Sequence, residues 1–144
     1  MILLSSLWNS ISGPSKVEEA IIDAICAVVL FDDELTDGES NYTIGFVEEM
    51  MGIDRAHAVQ FVDAGLARVR GKNIKEVLKT IAERLPEKEQ RHVAVLAVIG
   101  ASRIDSGFHS WGEADFLHTM AETLGLSQAE FQKLEERAEE ELQK

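Results

Sequence analysis

The sequence predicts an all-α fold, a compact bundle of seven helices. Three observations carry that expectation: Ser/Thr-x-x-Glu capping boxes at four places, apolar residues that recur with a 3.6-residue period, and no run of alternating apolar and polar residues to suggest a strand. The chain has 144 residues, enough for one domain, expected to span residues 1–144. A domain of about 150 residues buries about 68–70% of its unfolded surface, so a core of this size needs no staple.

Each helix has its own start and stop. Ahead of the first, residues 2–11 carry Leu3, Leu4, Leu7, Trp8 and Ile11 at helical spacing and read as a short amphipathic segment, either a flap packed on the domain or a helix that touches a partner or a membrane surface. A capping box satisfies two orphan backbone N–H groups reciprocally, and Ser15/Glu18, Thr36/Glu39, Ser110/Glu113 and Ser127/Glu130 all fit it. Asn73/Glu76 is a looser version, and Asp54 caps alone. Gly52, Gly125 and Gly71 stand where a left-handed residue ends a helix, and Pro86 suits the first turn of another. The resulting helices are about 15–31, 37–51, 55–69, 74–85, 87–104, 111–124 and 128–143. The first and fifth are apolar around most of their girth, through Ala24–Phe31 and Val93–Ala101, and are expected to form the central pair.

The chain also resembles itself. A shift of 73 residues places Ala24 on Ala97, Asp32 on Asp105, Ile44 on Leu117, Gly52 on Gly125 and the cap Asp54 on Ser127. Two pseudo-symmetric helical repeats are therefore expected, about 15–69 and 87–143, with helix 74–85 as connector. Two copies of so long a unit do not make a solenoid.

Charge and composition exclude several function classes. Asp and Glu number 26 against 14 Lys and Arg, a net charge of −12, which argues against nucleic-acid binding and against anionic membranes. The longest apolar runs fall far short of the roughly 18 residues of a membrane helix, and the amino terminus has no basic flank or cleavage site, so a cytoplasmic location and no membrane insertion are expected. The single cysteine, Cys26, rules out an internal disulfide and any multi-cysteine zinc site. It lies among Ile22, Ile25 and Val29, where a thiol behaves as a small hydrophobe. No phosphate-binding glycine loop occurs, and no catalytic activity is expected.

The stretch Asp32-Asp33-Glu34-Leu35-Thr36-Asp37-Gly38-Glu39, between a buried helix and a capped one, resembles the acidic turn of the tellurite-resistance TerB-like family. Met51-Gly52-Ile53 and Leu124-Gly125-Leu126 resemble that family's glycine stop, and Asp105-Ser106-Gly107-Phe108 with Glu113 resembles a second copy of the turn. The resemblance covers residues 17–143; Asp33 stands where the family has Gly, and the second turn is one residue longer. It implies an all-helical domain with an acidic surface, a role in metal-ion or stress response and no established catalysis. A related module precedes some membrane-anchored J-domain co-chaperones, but this chain has no His-Pro-Asp motif.

The acidic turns invite a cation. An EF-hand fails, because with Gly38 at the glycine position Leu35 and Ile44 fall where ligands are required. A simpler site for Ca²⁺ or Mg²⁺ would draw on Asp32, Asp33, Glu34, Asp37 and, from the second turn, Asp105. The competing reading makes these acids solvated turn residues that favour a helix N-terminus electrostatically. Glu89-x-x-His92, Asp54-x-x-His57 and Asp115-x-x-His118 each place an acid and a histidine on one helix face, but only one is a true Glu-x-x-His, short of a di-iron bundle. Asp105, His109 and Glu113 straddle a turn, and would make at most an adventitious zinc or nickel site.

Eight of the fourteen basic residues fall within residues 68–91, against four acids, so a connector of net +4 separates halves that together carry −16. Arg68, Arg70, Lys72, Lys75 and Lys79 are candidates for one docking patch, facing an acidic protein partner or the acidic half of a second copy. The alternative is side chains that lie over the core or pair along their own helix.

Overall fold

The computed structural model describes residues 14–30, 36–103 and 111–142, the side chains of 111–114 and 141–142 excepted. Among the described residues it is all-helical: α1 (Lys16–Val29), α2 (Asp37–Met51), α3 (Arg55–Val69), α4 (Ile74–Arg84), α5 (Lys88–Ser102), α6 (Trp111–Thr123) and α7 (Gln128–Leu142). None of these helices is long and apolar enough to cross a membrane.

The caps explain the boundaries. Ser15 Oγ accepts from the Glu18 amide at 3.1 Å while Glu18 Oε1 accepts from the Ser15 amide at 2.9 Å. Thr36 and Glu39 do the same at the start of α2, and Ser127 and Glu130 at the start of α7. Asp54 caps α3 through the His57 amide, and Asn73 accepts from the amides of Lys75 and Glu76. The expected Ser110/Glu113 box lies outside the described residues. At α5 the expectation shifts by a step. The N-cap is Glu87, whose amide donates to Gln90, and Pro86 precedes the cap instead of entering the first turn. The stops are glycine-driven as expected: Gly52, Gly71 and Gly125 have φ of 64°, 74° and 75°, a region L-residues with a Cβ avoid.

α1 and α5 pack on each other at the centre of the bundle. α1 is buried without interruption from Ala20 to Val29, and α5 is buried from Val98 through Ser102 as well as at Ala94, Val95 and Ala97. α3 and α4 cover α1, while α2 bridges α1 and α3, and α7 closes over α5. α3 comes unusually near α1 at Gly65, where a Cβ would stand 2.8 Å from Ile22 Cγ2 and 3.0 Å from Cys26 Sγ. α2 meets α5 at Gly100, where the Tyr42 ring crosses and its hydroxyl donates to the Ala97 carbonyl at 3.2 Å.

Arg91 ties three helices at one corner. Its Nε donates to the Leu85 carbonyl at 2.6 Å, Nη2 to Ala82 at 3.1 Å and Nη1 to Leu124 at 3.0 Å. These are last-turn carbonyls of α4 and α6 or their immediate neighbours, at the negative end of each helix dipole, and the Ala82 carbonyl also accepts from the Leu85 amide at 3.2 Å.

Candidate functional site

The core of α1 contains one carboxylate. Asp23 lies between Ile22 and Ala24 with its side chain only 5% exposed. A buried carboxylate has to be paired and hydrogen-bonded, and two arginines meet it. From α3, Arg68 donates through Nε and Nη2 to Asp23 Oδ1 at 3.0 and 2.8 Å, with Nε also 3.3 Å from Oδ2. From α4, Arg84 Nη1 donates to Asp23 Oδ2 at 3.2 Å and to Glu19 Oε1 at 3.3 Å. Glu19 and Asp23 are one turn apart on α1, so both present their acids to the same seam. Burial alone would lower the Arg68 pKa, but its hydrogen bonds to Asp23 and the charges of Asp23 and Glu19 raise it overall. The junction opens into a cleft of about 220 Å³, in which Lys72, Glu76 and Thr80 face the two arginines.

Arg68 is thus half-buried and consumed by Asp23, a departure from the exposed strip expected of it. Arg84 is consumed in the same way. Arg70, Lys72, Lys75 and Lys79 are exposed, and none makes an ion pair among the described residues. Lys72 borders the cleft with Glu76 and Thr80, whereas Lys75 and Lys79, spaced i,i+4, stand on the neighbouring ridge of α4. The expected patch therefore straddles α4 instead of forming one flat face. Elsewhere cations are largely committed. Arg55 pairs with Glu48, Lys88 with Glu130, and Arg103 with Glu135 and Glu139, although Lys16, Lys133 and Arg137 join the unpaired set.

Of the expected cation ligands, Asp37 is described, exposed in the first turn of α2. Asp32, Asp33, Glu34 and Asp105 lie outside the described residues. Glu39 is occupied by the Thr36 cap. Among the described residues no three His, Cys, Asp or Glu side chains cluster as a metal site would require. The histidines have local roles. His57 Nδ1 is 2.7 Å from the cap residue Asp54, whose carboxyl is held below its usual range first by the His57 amide and then by the His57 ring. His92 Nε2 is 3.1 Å from Glu130 of α7, not Glu89 of its own helix. Glu130 also receives Lys88 Nζ at 2.9 Å, and hydrogen bonds from Lys88, the Ser127 amide and His92, in that order of weight, hold its carboxyl down to about 2. His118 is exposed and packs its ring over Phe131 at 5.1 Å. Cys26 is fully buried, and burial, followed by the Asp23 charge, pushes its thiol up to about 12, away from nucleophilic use.

A second surface feature is apolar. Between α2, α5 and α7 runs a groove of about 530 Å³ edged by Tyr42, Phe46, Val93 and Leu96. Val93 is 44% exposed, the one exposed large hydrophobic side chain among the described residues. Neither this groove nor the Asp23 junction is among the sites that the sequence predicts. The junction had a signal, an acid in the middle of a continuous apolar run. The groove had a weaker one, because Val93 sits at the edge of a run that is otherwise core.

No family model matches the chain, and comparison with curated proteins and with solved structures finds no match either.

Proposed function

We propose that this chain is a non-catalytic interaction module of the TerB-like kind, which docks an acidic protein surface through Arg70, Lys72, Lys75 and Lys79. The observation that supports the reading is the division of labour among its cations. In a protein of net charge −12, Arg55, Arg68, Arg84, Lys88 and Arg103 are held by acids of the same chain, while these four project from one connector without such partners. Lys75 and Lys79 repel each other at i,i+4, a small cost that an incoming acid would relieve. The Asp23 junction holds α1, α3 and α4 together directly behind this surface. Under the same reading the chain is two helical repeats, α1–α3 and α5–α7, with α4 between them; Gly52 and Gly125, both left-handed and each followed by an apolar residue and a capping residue, support that equivalence. Reversing Lys72, Lys75 and Lys79 to Glu tests the docking reading. The variant is expected to fold with an unchanged melting temperature and to lose salt-sensitive association with an acidic partner. Association that survives the reversal, or that ignores salt, would contradict it.

A second reading, binding of Ca²⁺ or Mg²⁺ at Asp32, Asp33, Glu34 and Asp37 with Asp105 from the second turn, is favoured by a sequence observation. Five carboxylates occupy residues 32–39, with no basic residue between Lys16 and Arg55. Hard cations relieve such repulsion with oxygen ligands alone, at roughly 10⁻⁴–10⁻³ M for so loose a site. An amide NMR titration with calcium separates the two readings. Shifts confined to residues 31–40 and lost in Asp33→Asn/Asp37→Asn support the cation site. An unchanged spectrum at several millimolar calcium removes it.

A further inference from the structure

The cleft over the Asp23 junction holds donors that no acid of this chain takes up. Arg68 commits the edge formed by Nε and Nη2 to Asp23. Arg84 meets Asp23 and Glu19 with Nη1 alone, at 3.2 and 3.3 Å, so its own Nε and Nη2 have no acceptor among the described residues. That pair of parallel N–H groups is an edge on which a guanidinium binds a carboxylate bidentately. Both arginines line the cleft with Lys72, Glu76 and Thr80, and Val69, Val77 and Ile81 supply its apolar wall. We propose that the cleft takes one carboxylate, the glutamate side chain of an acidic partner, on the Nε and Nη2 edge of Arg84. The source of that glutamate rests on the docking reading above; the pocket rests on the junction of α1, α3 and α4.

Size, charge and rigidity select this ligand. The cleft, about 220 Å³, is far larger than the roughly 10–15 Å³ that one water needs, so a carboxylate enters with its methylenes, which Val77 and Ile81 can cover. Three cations and two carboxylates line it, a surplus of one positive charge, which suits a monoanion better than a phosphate dianion. Glu76 does not fill the place itself, since it pairs with no cation among the described residues. Asp23 and Glu19 already hold Arg84 in one orientation, so little side-chain freedom is lost when a ligand arrives. Exposed ion pairs such as Lys75 and Lys79 would make contribute little each, whereas a guanidinium half-buried in a concave site is where a binding hot spot forms.

An NMR titration of the full-length chain with N-acetylglutamate amide, a probe with a single carboxylate, tests the pocket at constant ionic strength. The Arg84 Nε–H signal is expected to move downfield and saturate, together with the amides of Val77, Thr80 and Ile81, while N-acetylglutamine amide leaves all of them in place. Thr80 is exposed and its hydroxyl donates only to the Glu76 carbonyl of its own helix. Thr80→Trp therefore fills the cleft without removing a charge, and should weaken the probe about tenfold while the spectrum keeps its dispersion. An Arg84 signal that the probe does not move, or that the glutamine analogue moves equally, would overturn the proposal. Undiminished binding in a folded Thr80→Trp variant would place the probe elsewhere and overturn it too, and inorganic phosphate binding more tightly than the probe would overturn it in favour of a phosphate pocket. The docking reading has a separate readout. A glutamate-rich peptide that shifts Lys75 and Lys79 but leaves Arg84 in place keeps that reading and overturns the anchor. A probe that moves Arg84 while the peptide shifts neither lysine supports the pocket and removes the docking reading.

Discussion

Replacing Asp23 with alanine removes the anion that two arginines share. Asp23 is 5% exposed, whereas Arg68 and Arg84 keep 31% and 26% of their side chains in water. Removing one partner of a buried ion pair costs about 3–5 kcal/mol, because a charge is left without compensation. Here the two guanidiniums can recover part of their hydration through the cleft and Arg84 retains Glu19, which places Asp23→Ala at the lower end, about 3 kcal/mol. For a domain of this size each kcal/mol moves the melting temperature by roughly 2–4 °C, so a drop of roughly 6–12 °C is expected. Asp23→Asn keeps the shape and an acceptor and should cost less, about 1–2 kcal/mol. Urea unfolding followed by circular dichroism measures both, the midpoint falling with the slope unchanged. A double-mutant cycle with Arg68→Gln then isolates the pair, and its coupling should exceed the 0.2–1 kcal/mol or so typical of exposed pairs. A loss below about 0.5 kcal/mol for Asp23→Ala would show that the junction behaves as an ordinary surface contact and not as a buried ion pair.

Three further perturbations probe other joints. Arg91→Ala strips three carbonyls at the ends of α4 and α6 of a charged donor and should cost about 2–3 kcal/mol in the same assay, with Arg91→Lys recovering only a part because an ammonium lacks the planar fork. Gly65→Ala gains up to about 1 kcal/mol of helix propensity, but its Cβ would stand 2.8 Å from Ile22 in a fully packed seam, so a net loss of about 1–2 kcal/mol is expected and a stabilised variant would contradict the close approach of α1 and α3. Glu130, held down to about 2 from an ordinary 4.5, contributes stability that is fully present above about pH 4.5 and is lost as pH falls through 2; Glu130→Gln should flatten the acid limb of the stability curve within that window and leave neutral pH behaviour the least pH-dependent.

Local chemistry made most of the helix boundaries legible. Ser15, Thr36, Asp54, Asn73 and Ser127 announce helix starts through side-chain oxygens, and Gly52, Gly71 and Gly125 announce stops through backbone freedom; both are properties of a few adjacent residues. The Glu87/Gln90 start was hidden, because neither residue is a standard cap and Pro86 offered a competing place to begin. The central pairing of α1 and α5 followed from their apolar girth. What could not be read was which distant residues meet. Arg68 sits in a basic run and looked like its neighbours Arg70 and Lys72, yet helix phase turns it toward Asp23, 45 positions away, while Arg70 stays in water. Arg91 likewise gives no sign in sequence that it will reach carbonyls of Leu85 and Leu124 at once. Spacing puts His92 and Glu89 on one face of their helix, but α7 brings Glu130 to His92 from outside. Asp32, Asp33, Glu34 and Asp105, the expected cation ligands, lie outside the described residues.

The docking reading is tested most directly by an amide NMR titration of the protein with a short glutamate-rich peptide at physiological salt. Saturable shifts confined to Arg70–Lys79 and the cleft residues beside them are expected, weakening as salt rises and absent in the Lys72→Glu/Lys75→Glu/Lys79→Glu variant. Shifts spread evenly over the surface, or an undiminished response in the reversed variant, would contradict the claim that this connector is a docking face.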